Sequence, residues 1–194
     1  MVYNLINNYY DINGEEFFDS TVDVDMSTHY KEFLDYIPKN SHILDAGCGS
    51  GRDTLAFRSL GYDVTSIDGS YKMCKLASEY TSHEVLHMQF QEIEFNSIFD
   101  GIWASASLLH ISSSELDVVL DKLKNSLKDN GVLYASFKYG DFEGMRNGRY
   151  FNDFTEKTAI SLFESSGFEI IKTWITNDAR KGRHQEQWVN ILVK

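Results

Sequence analysis

The chain has 194 residues, of which 42% are hydrophobic and 24% charged, and its net charge is −11. This composition predicts one domain with a full hydrophobic core. The acidic excess argues against DNA or structured RNA as a partner, because nucleic-acid binders need a basic face. No stretch has the length of a membrane span or the pattern of a signal peptide, so we expect a cytoplasmic protein without a membrane partner.

Residues 1–26 are rich in aromatic side chains and precede the first predicted strand. A helix is predicted after them, capped by Ser27 or Thr28 and stopped by Pro38, the only proline. The two cysteines, Cys48 and Cys74, have no spaced partners, so neither a disulfide nor a metal site is expected.

The most informative stretch follows a short apolar strand at residues 43–44. Asp45 ends that strand, and glycines then occupy positions 47, 49 and 51 before a helical pattern that Gly61 closes. Glycine lets the backbone turn sharply and approach a ligand closely. Asp68 ends a second predicted strand, Tyr62–Ile67, where a carboxylate can accept both hydroxyls of a ribose.

The spacing of these glycines differs from the Gly-x-Gly-x-x-Gly pattern of dinucleotide sites. Asp45 would repel a pyrophosphate, whereas it suits a zwitterionic amino acid. The stretch Asp-Ala-Gly-Cys-Gly-Ser-Gly, together with Asp68, resembles motif I of the class I methyltransferases that depend on S-adenosylmethionine (SAM).

Further strands and helices alternate along the chain. Ser70 is the predicted cap of the next helix, and strand three is predicted at Val85–Phe90. Strand four covers residues 99–106, and His110 follows its carboxyl end, where open α/β sheets bind ligands. A capping box of Ser112 and Glu115 predicts a helix through Leu127, which Asn130-Gly131 terminates before strand five, Val132–Phe137.

The last third of the sequence begins with a predicted loop, Lys138–Asp153, which is long enough to suggest a functional role. A helix from Thr155 to Ser166 follows and stops at Gly167. Strands six and seven, Phe168–Thr176 and Gln187–Val193, form a predicted antiparallel hairpin around a polar turn.

The resemblance to class I methyltransferases covers Ser41–Lys194 and implies a Rossmann-like three-layer α/β sandwich. Its seven-stranded sheet is mostly parallel with an antiparallel last strand. Residues 1–26 would then form a lid segment over a SAM-binding core at 27–194, or else pack on the sheet edge. The segments Gly-Arg-Asp, Trp-Ala-Ser-Ala-Ser-Leu-Leu-His and Ser-Phe-Lys-Tyr-Gly resemble a bacterial subgroup often labelled tellurite-resistance-like.

The same resemblance implies the residues that contact SAM. It places Met73 against the adenine and Gln91 or Glu92 at the adenine amino group. Arg52, directly after the glycine loop, is expected either at the methionine carboxylate or as a surface arginine at a helix start. The full set of predicted cofactor contacts is Tyr10, Asp45, Gly47, Gly49, Arg52, Asp68, Gly69, Met73, Gln91, Glu92 and Ser105.

On the acceptor side, His110 is the leading candidate for a proton acceptor and Tyr139 a weaker one; alternatively, His110 only hydrogen-bonds the lid. The predicted substrate contacts are Tyr9, His110, Lys138, Arg149 and Arg183, of which the basic side chains suggest an anionic acceptor. Three functions remain open: a small-molecule methyltransferase, a tRNA-modifying methyltransferase, and a non-catalytic SAM-binding protein. We expect a monomer or a homodimer.

Overall fold

The computed structural model describes the backbone of residues 2–194 and the side chains of residues 8–194. The helices are α1 (Val2–Thr21), α2 (Ser27–Leu34), α3 (Arg52–Ser59), α4 (Tyr71–Thr81), α5 (Ser113–Ser126) and α6 (Glu156–Ser165). The strands are β1 (His42–Ala46), β2 (Asp63–Asp68), β3 (Val85–His87), β4 (Phe99–Ala104), β5 (Leu127–Lys138), β6 (Glu143–Arg146), β7 (Arg149–Asn152), β8 (Ile170–Asn177) and β9 (Gln187–Val193).

Seven strands form one sheet in the order β3-β2-β1-β4-β5-β9-β8, and β6 pairs only with β7. Strands β1 to β5 are parallel, whereas β9 runs antiparallel to both of its neighbours. This arrangement confirms the predicted Rossmann-like fold. The strand order reverses between β1 and β4, and ligands of open α/β sheets bind beside the carboxyl ends of the strands at such a point.

Successive side chains of a strand point to opposite faces of the sheet, and in this protein both faces are buried. Trp103 of β4 stacks on Tyr134 of β5 with ring centroids 4.0 Å apart, and Phe33 of α2 packs on the same face. The neighbouring residues Ile102 and Ala104 face the other side, where α5 and α6 cover them. Among the described residues, no helix combines the length and apolar character needed to cross a bilayer.

Several predicted boundaries are confirmed. The Ser70 hydroxyl accepts a hydrogen bond from the Met73 amide, and Thr155 caps α6 in the same way. Gly167 follows α6 with a φ of 77°, and β9 has its predicted bounds.

Other predicted boundaries were wrong. Strand β3 ends at His87, and Phe90–Glu92 form a turn of 3₁₀ helix instead of a strand end. Neither Ser27 nor Thr28 caps α2; the Asp25 carboxylate accepts from the Ser27 amide instead.

Two further corrections concern the strands after α5. Helix α5 already ends at Ser126, and Asn130-Gly131 lies inside β5, beside a shift in its register with β4. The long loop predicted at Lys138–Asp153 contains the β6–β7 hairpin, whose turn is Asn147-Gly148.

Helix α1 crosses the carboxyl ends of the central strands. Its Asp11 accepts a hydrogen bond from the Ser70 hydroxyl at 2.5 Å, and Glu15 pairs with Lys72 at the start of α4. The N-terminal segment is thus a helix held against α4, on the side of the sheet where a ligand is expected.

Candidate functional site

A cavity lies at the carboxyl ends of β1, β4 and β5, beneath α1. Its volume is about 1540 Å³, which includes the part that is open to solvent. Thirteen residues that the sequence singled out line it: Tyr10, Gly47, Gly49, Arg52, Asp68, Gly69, Met73, Gln91, Ser105, His110, Lys138, Arg149 and Arg183. The fold therefore brings together side chains from almost the whole length of the chain.

Four residues predicted for the site lie away from the cavity wall. Asp45 is buried behind the glycine loop, and exposed Glu92 accepts from the Gln89 amide at the end of its turn. Tyr9 faces a neighbouring groove beside Arg149. Tyr139 is 45% exposed on the surface, so the structure offers it no contact with a ligand in the cavity.

The glycine loop has the conformation that its sequence predicts. Gly47 has a φ of 79°, and a Cβ there would come within 2.5 Å of the Ser107 side chain. Gly49 has a φ of 53° and faces the cavity, across which the ring of Phe17 would lie 3.4 Å from an added Cβ. Only glycine leaves this space open for a ligand close to the backbone.

Asp68 joins the glycine loop to β2. One carboxylate oxygen accepts from the Gly49 amide and the other from the Ser70 amide, each at 2.9 Å. Burial raises the pKa of Asp68, while these two backbone donors act in the opposite direction. Each oxygen retains a lone pair that a ligand hydroxyl can use.

Asp45 supports the loop from beneath. Its carboxylate accepts from the Thr54 hydroxyl at 2.6 Å, and Thr54 lies 2.8 Å from the Ser66 hydroxyl. Burial and the nearby carboxylate of Asp53 raise the pKa of Asp45. Contact with a methionine ammonium group stays a prediction, because the carboxylate does not reach the cavity wall here.

Arg52 is fixed at the cavity wall by its neighbour in sequence. Its guanidinium makes a bidentate ion pair with Asp53, at 2.7 and 2.9 Å. The Trp103 indole also donates to Asp53, at 2.8 Å. This network anchors Arg52 in one orientation beside the glycine loop.

Gln91 lines the cavity with an amide group that lacks partners. Both its Nε2 and its Oε1 are buried, and neither has a hydrogen-bond partner among the described residues. Leaving a buried polar group unpaired is costly, so this amide suits a ligand that offers both a donor and an acceptor. Gln89 and Phe90, which the sequence analysis did not single out, line the same region.

Three side chains form a hydrogen-bonded chain at the opposite end. His110 Nδ1 lies 2.6 Å from the Tyr150 carbonyl oxygen, which can only accept, so Nδ1 carries the proton. Neutral Nε2 then accepts from the Tyr10 hydroxyl at 2.8 Å. Arg149 Nη1 donates to that hydroxyl at 3.3 Å. Burial lowers the pKa of His110 to about 4, which keeps the imidazole neutral near pH 7.

Lys138 and Arg183 also line the cavity, but acidic side chains pair with both. Lys138 contacts Asp178 at 3.4 Å and also Glu186, while Arg183 makes two hydrogen bonds to Glu186 at 2.5 and 2.7 Å. Asp178 additionally binds the Arg180 guanidinium, and its pKa is lowered by that pairing despite partial burial.

The residues on the wall fit SAM. The open strip of backbone at Gly49 leaves room for an elongated ligand, the carboxylate of Asp68 can accept from its ribose, and the amide of Gln91, unpaired among the described residues, can pair with its base. Among the described residues, no group of three or more His, Cys, Asp or Glu side chains could hold a metal ion.

Comparisons with known proteins agree with this geometry. Residues 44–135 match the family model described as a methyltransferase domain. An uncharacterized methyltransferase of Staphylococcus carnosus (strain TM300) is 29% identical over 141 residues, which cover 68% of each chain. A malonyl-[acyl-carrier protein] O-methyltransferase of Buchnera aphidicola subsp. Baizongia pistaciae is 38% identical over 104 residues, which cover 52% of this chain and 41% of that protein.

Among solved structures, the chain is similar to the Burkholderia thailandensis 1,6-didemethyltoxoflavin-N1-methyltransferase, with a TM-score of 0.82 and 19% identity. The match covers 98% of this chain and 87% of that one, which was solved with 1,6-didemethyltoxoflavin and S-adenosylhomocysteine bound. The family match lies on the glycine loop and on the strands around the cavity. Over residues 44–135 the chain is therefore similar to the methyltransferase domain family, and its fold is that of the Burkholderia methyltransferase.

Proposed function

We propose that the protein transfers a methyl group from SAM to a small-molecule acceptor. The observation that carries this proposal is the cover over the cavity: α1 lies across it, and the Tyr10–His110 hydrogen bond joins that helix to the end of β4. A covered cavity favours a small acceptor, because a macromolecular substrate needs an open surface around the reacting atom.

The residues that would hold SAM follow from the wall of the cavity. The loop at Gly47–Gly51 admits the cofactor beside the backbone, Asp68 accepts from the ribose hydroxyls, and Gln91 pairs with the base. Arg52 would donate to the methionine carboxylate from Nη1, because its ion pair with Asp53 uses Nε and Nη2. When bound, SAM would supply a methyl group on a sulfonium: the acceptor would bond to the methyl carbon in line with the breaking carbon–sulfur bond, and S-adenosylhomocysteine would leave.

The surroundings of His110 favour a positioning role over a general-base role. Its pKa of about 4 makes the imidazole a weak proton acceptor at neutral pH, and the lone pair on Nε2 is engaged by the Tyr10 hydroxyl. We therefore assign His110 to holding the lid in place, and the acceptor loses any proton to solvent.

The two alternative functions have less support. A tRNA substrate needs an exposed basic face, yet Lys138, Arg180 and Arg183 are paired with Asp178 and Glu186. A non-catalytic SAM-binding protein would explain the cofactor half of the cavity but leaves the second half, beside His110 and Arg149, without a purpose.

Label transfer separates these functions. The protein and SAM with a radioactive methyl group are incubated in three separate reactions, one with a small-molecule extract, one with bulk tRNA and one with bulk protein. We expect label in the small-molecule sample alone, and none with an Asp68→Ala variant. Label in tRNA or protein contradicts the proposed acceptor class. No label in any sample, despite SAM binding measured by calorimetry, indicates a binding protein.

A further inference from the structure

Five cationic side chains line the cavity, and four of them make ion pairs with carboxylates. Asp53 pairs with Arg52, Asp178 and Glu186 pair with Lys138, and the same two acids pair with Arg180 and Arg183. Arg149 differs: among the side chains that the structure describes, no carboxylate lies within ion-pair distance of it. Arg149 is therefore the cation of this cavity that makes no ion pair with any carboxylate the structure describes.

The surroundings of Arg149 hold its guanidinium without satisfying it. Nε is buried and has no hydrogen-bond partner among the described residues, within which Nη1 makes only the 3.3 Å contact to the Tyr10 hydroxyl. Aromatic rings surround the group: the guanidinium carbon lies 4.9 Å from the centroid of Tyr9, 5.1 Å from Phe151 and 5.9 Å from Tyr10. Cation–π contacts of this kind position a guanidinium but supply no hydrogen-bond acceptor.

A partly buried guanidinium without an anion is unfavourable unless a ligand supplies one. Its planar fork of N–H donors matches the geometry of a carboxylate or a phosphate. We propose that Arg149 binds an oxyanion group of the methyl acceptor, so that the enzyme acts on acidic small molecules. This inference rests on the proposed function. The sequence suggested that Lys138, Arg149 and Arg183 contact an anionic acceptor together. The inference keeps Arg149 alone, since Lys138 and Arg183 are already paired with carboxylates.

The charge of the acceptor can be measured before the acceptor is identified. A small-molecule extract is separated on an anion exchanger into bound and unbound fractions, and each fraction is incubated with methyl-labelled SAM and the enzyme. We expect label in the anionic fraction. Phosphatase treatment of that fraction distinguishes the two sources: loss of label indicates a phosphate, and retention indicates a carboxylate. Label in the unbound fraction alone overturns the inference but leaves the proposed function intact.

Matched variants test the residue itself. Arg149→Gln should raise the apparent KM for the anionic fraction about 10- to 100-fold, and Arg149→Lys should raise it less. Arg146→Gln is the control, because Arg146 lies in the same hairpin, stacks on Phe142 and pairs with Asp153 outside the cavity. It should leave the KM unchanged.

The binding of S-adenosylhomocysteine, measured by calorimetry, separates the acceptor from the cofactor. We expect the same affinity in Arg149→Gln as in the wild type. A large loss of this affinity, with an unchanged KM for the acceptor, means that Arg149 binds the methionine carboxylate and overturns the inference. Absence of label in every fraction of the wild-type assay overturns the proposed function and this inference with it.

Discussion

The hydroxyl of Tyr10 lies 2.8 Å from Nε2 of His110, although one hundred positions separate the two residues in the chain. Tyr10 belongs to α1, and His110 follows β4 at the switch point of the sheet. Because His110 Nδ1 is engaged by the Tyr150 carbonyl, a single imidazole connects α1 with the β6–β7 hairpin. The two elements that cover the cavity are thus coupled through one side chain.

Removal of the Tyr10 hydroxyl should loosen this cover. Tyr10→Phe keeps the ring but leaves Nε2 of His110 buried without a donor, at a cost of about 1–3 kcal/mol. We expect faster amide exchange in residues 8–21 and reduced methyl transfer, with the affinity for S-adenosylhomocysteine unchanged. Tyr9→Phe is the control, since no described hydrogen bond involves the Tyr9 hydroxyl. Identical exchange in the two variants would show that the bond does not hold the helix.

Titration of His110 should contribute to acid sensitivity. Its pKa is about 4 in the folded protein and 6.5 in the unfolded chain, so between these values the unfolded chain binds a proton that the folded protein does not. Stability therefore falls as the pH drops from about 6.5 towards 4, and this group has no effect at higher pH.

The variant His110→Asn isolates this contribution, because asparagine can still donate to the Tyr150 carbonyl but does not titrate. Urea unfolding at about pH 7.5 and pH 5 gives the loss of unfolding free energy for each protein. We expect the wild type to lose about 2 kcal/mol more than the variant. Equal losses would mean that the folded protein leaves His110 with an ordinary pKa.

Asp68 should control cofactor affinity. Asp68→Ala removes a charged acceptor and also frees the Gly49 and Ser70 amides that it holds. The affinity for S-adenosylhomocysteine should fall by about 1.5–3 kcal/mol, measured by calorimetry. Asp63→Ala is the matched control, because Asp63 is an exposed carboxylate at the other end of β2. Similar affinities in both variants would exclude Asp68 from the ribose site.

The sheet and the glycine-loop side of the cavity were predictable because their signals are local. Buried parallel strands are continuous apolar runs, and Ile102–Ala104 has this pattern. The glycine loop requires backbone angles that its sequence specifies: Gly47 and Gly49 both have positive φ. Asp68 was found for the same reason, since it directly ends a strand.

The side of the cavity beside Lys138 and Arg149 was less predictable, because it depends on tertiary placement. Lys138 is neutralised by Asp178 and Glu186, which lie 40 and 48 positions further along the chain. The β6–β7 hairpin did carry a local signal: Asn147-Gly148 adopts φ angles of 51° and 78°, as a tight hairpin turn requires. With that signal, Arg149 would have been assigned to a strand instead of a loop.

The glycine loop offers a test in which backbone strain and lost space are separated. Gly49 and Gly61 both have positive φ, at 53° and 88°, so valine at either position imposes left-handed strain of about 1–2 kcal/mol. A side chain at position 49 extends into the cavity towards Phe17, whereas at position 61 the nearest atom lies 4.0 Å away.

Gly49→Val and Gly61→Val should therefore lose similar unfolding free energy, measured in urea, while only Gly49→Val loses the binding of S-adenosylhomocysteine. We expect at least a 100-fold loss of affinity, because the valine occupies the space through which the cofactor would contact the backbone. Equal affinities in the two variants would mean that the cofactor does not lie against this loop, since the strain is common to both.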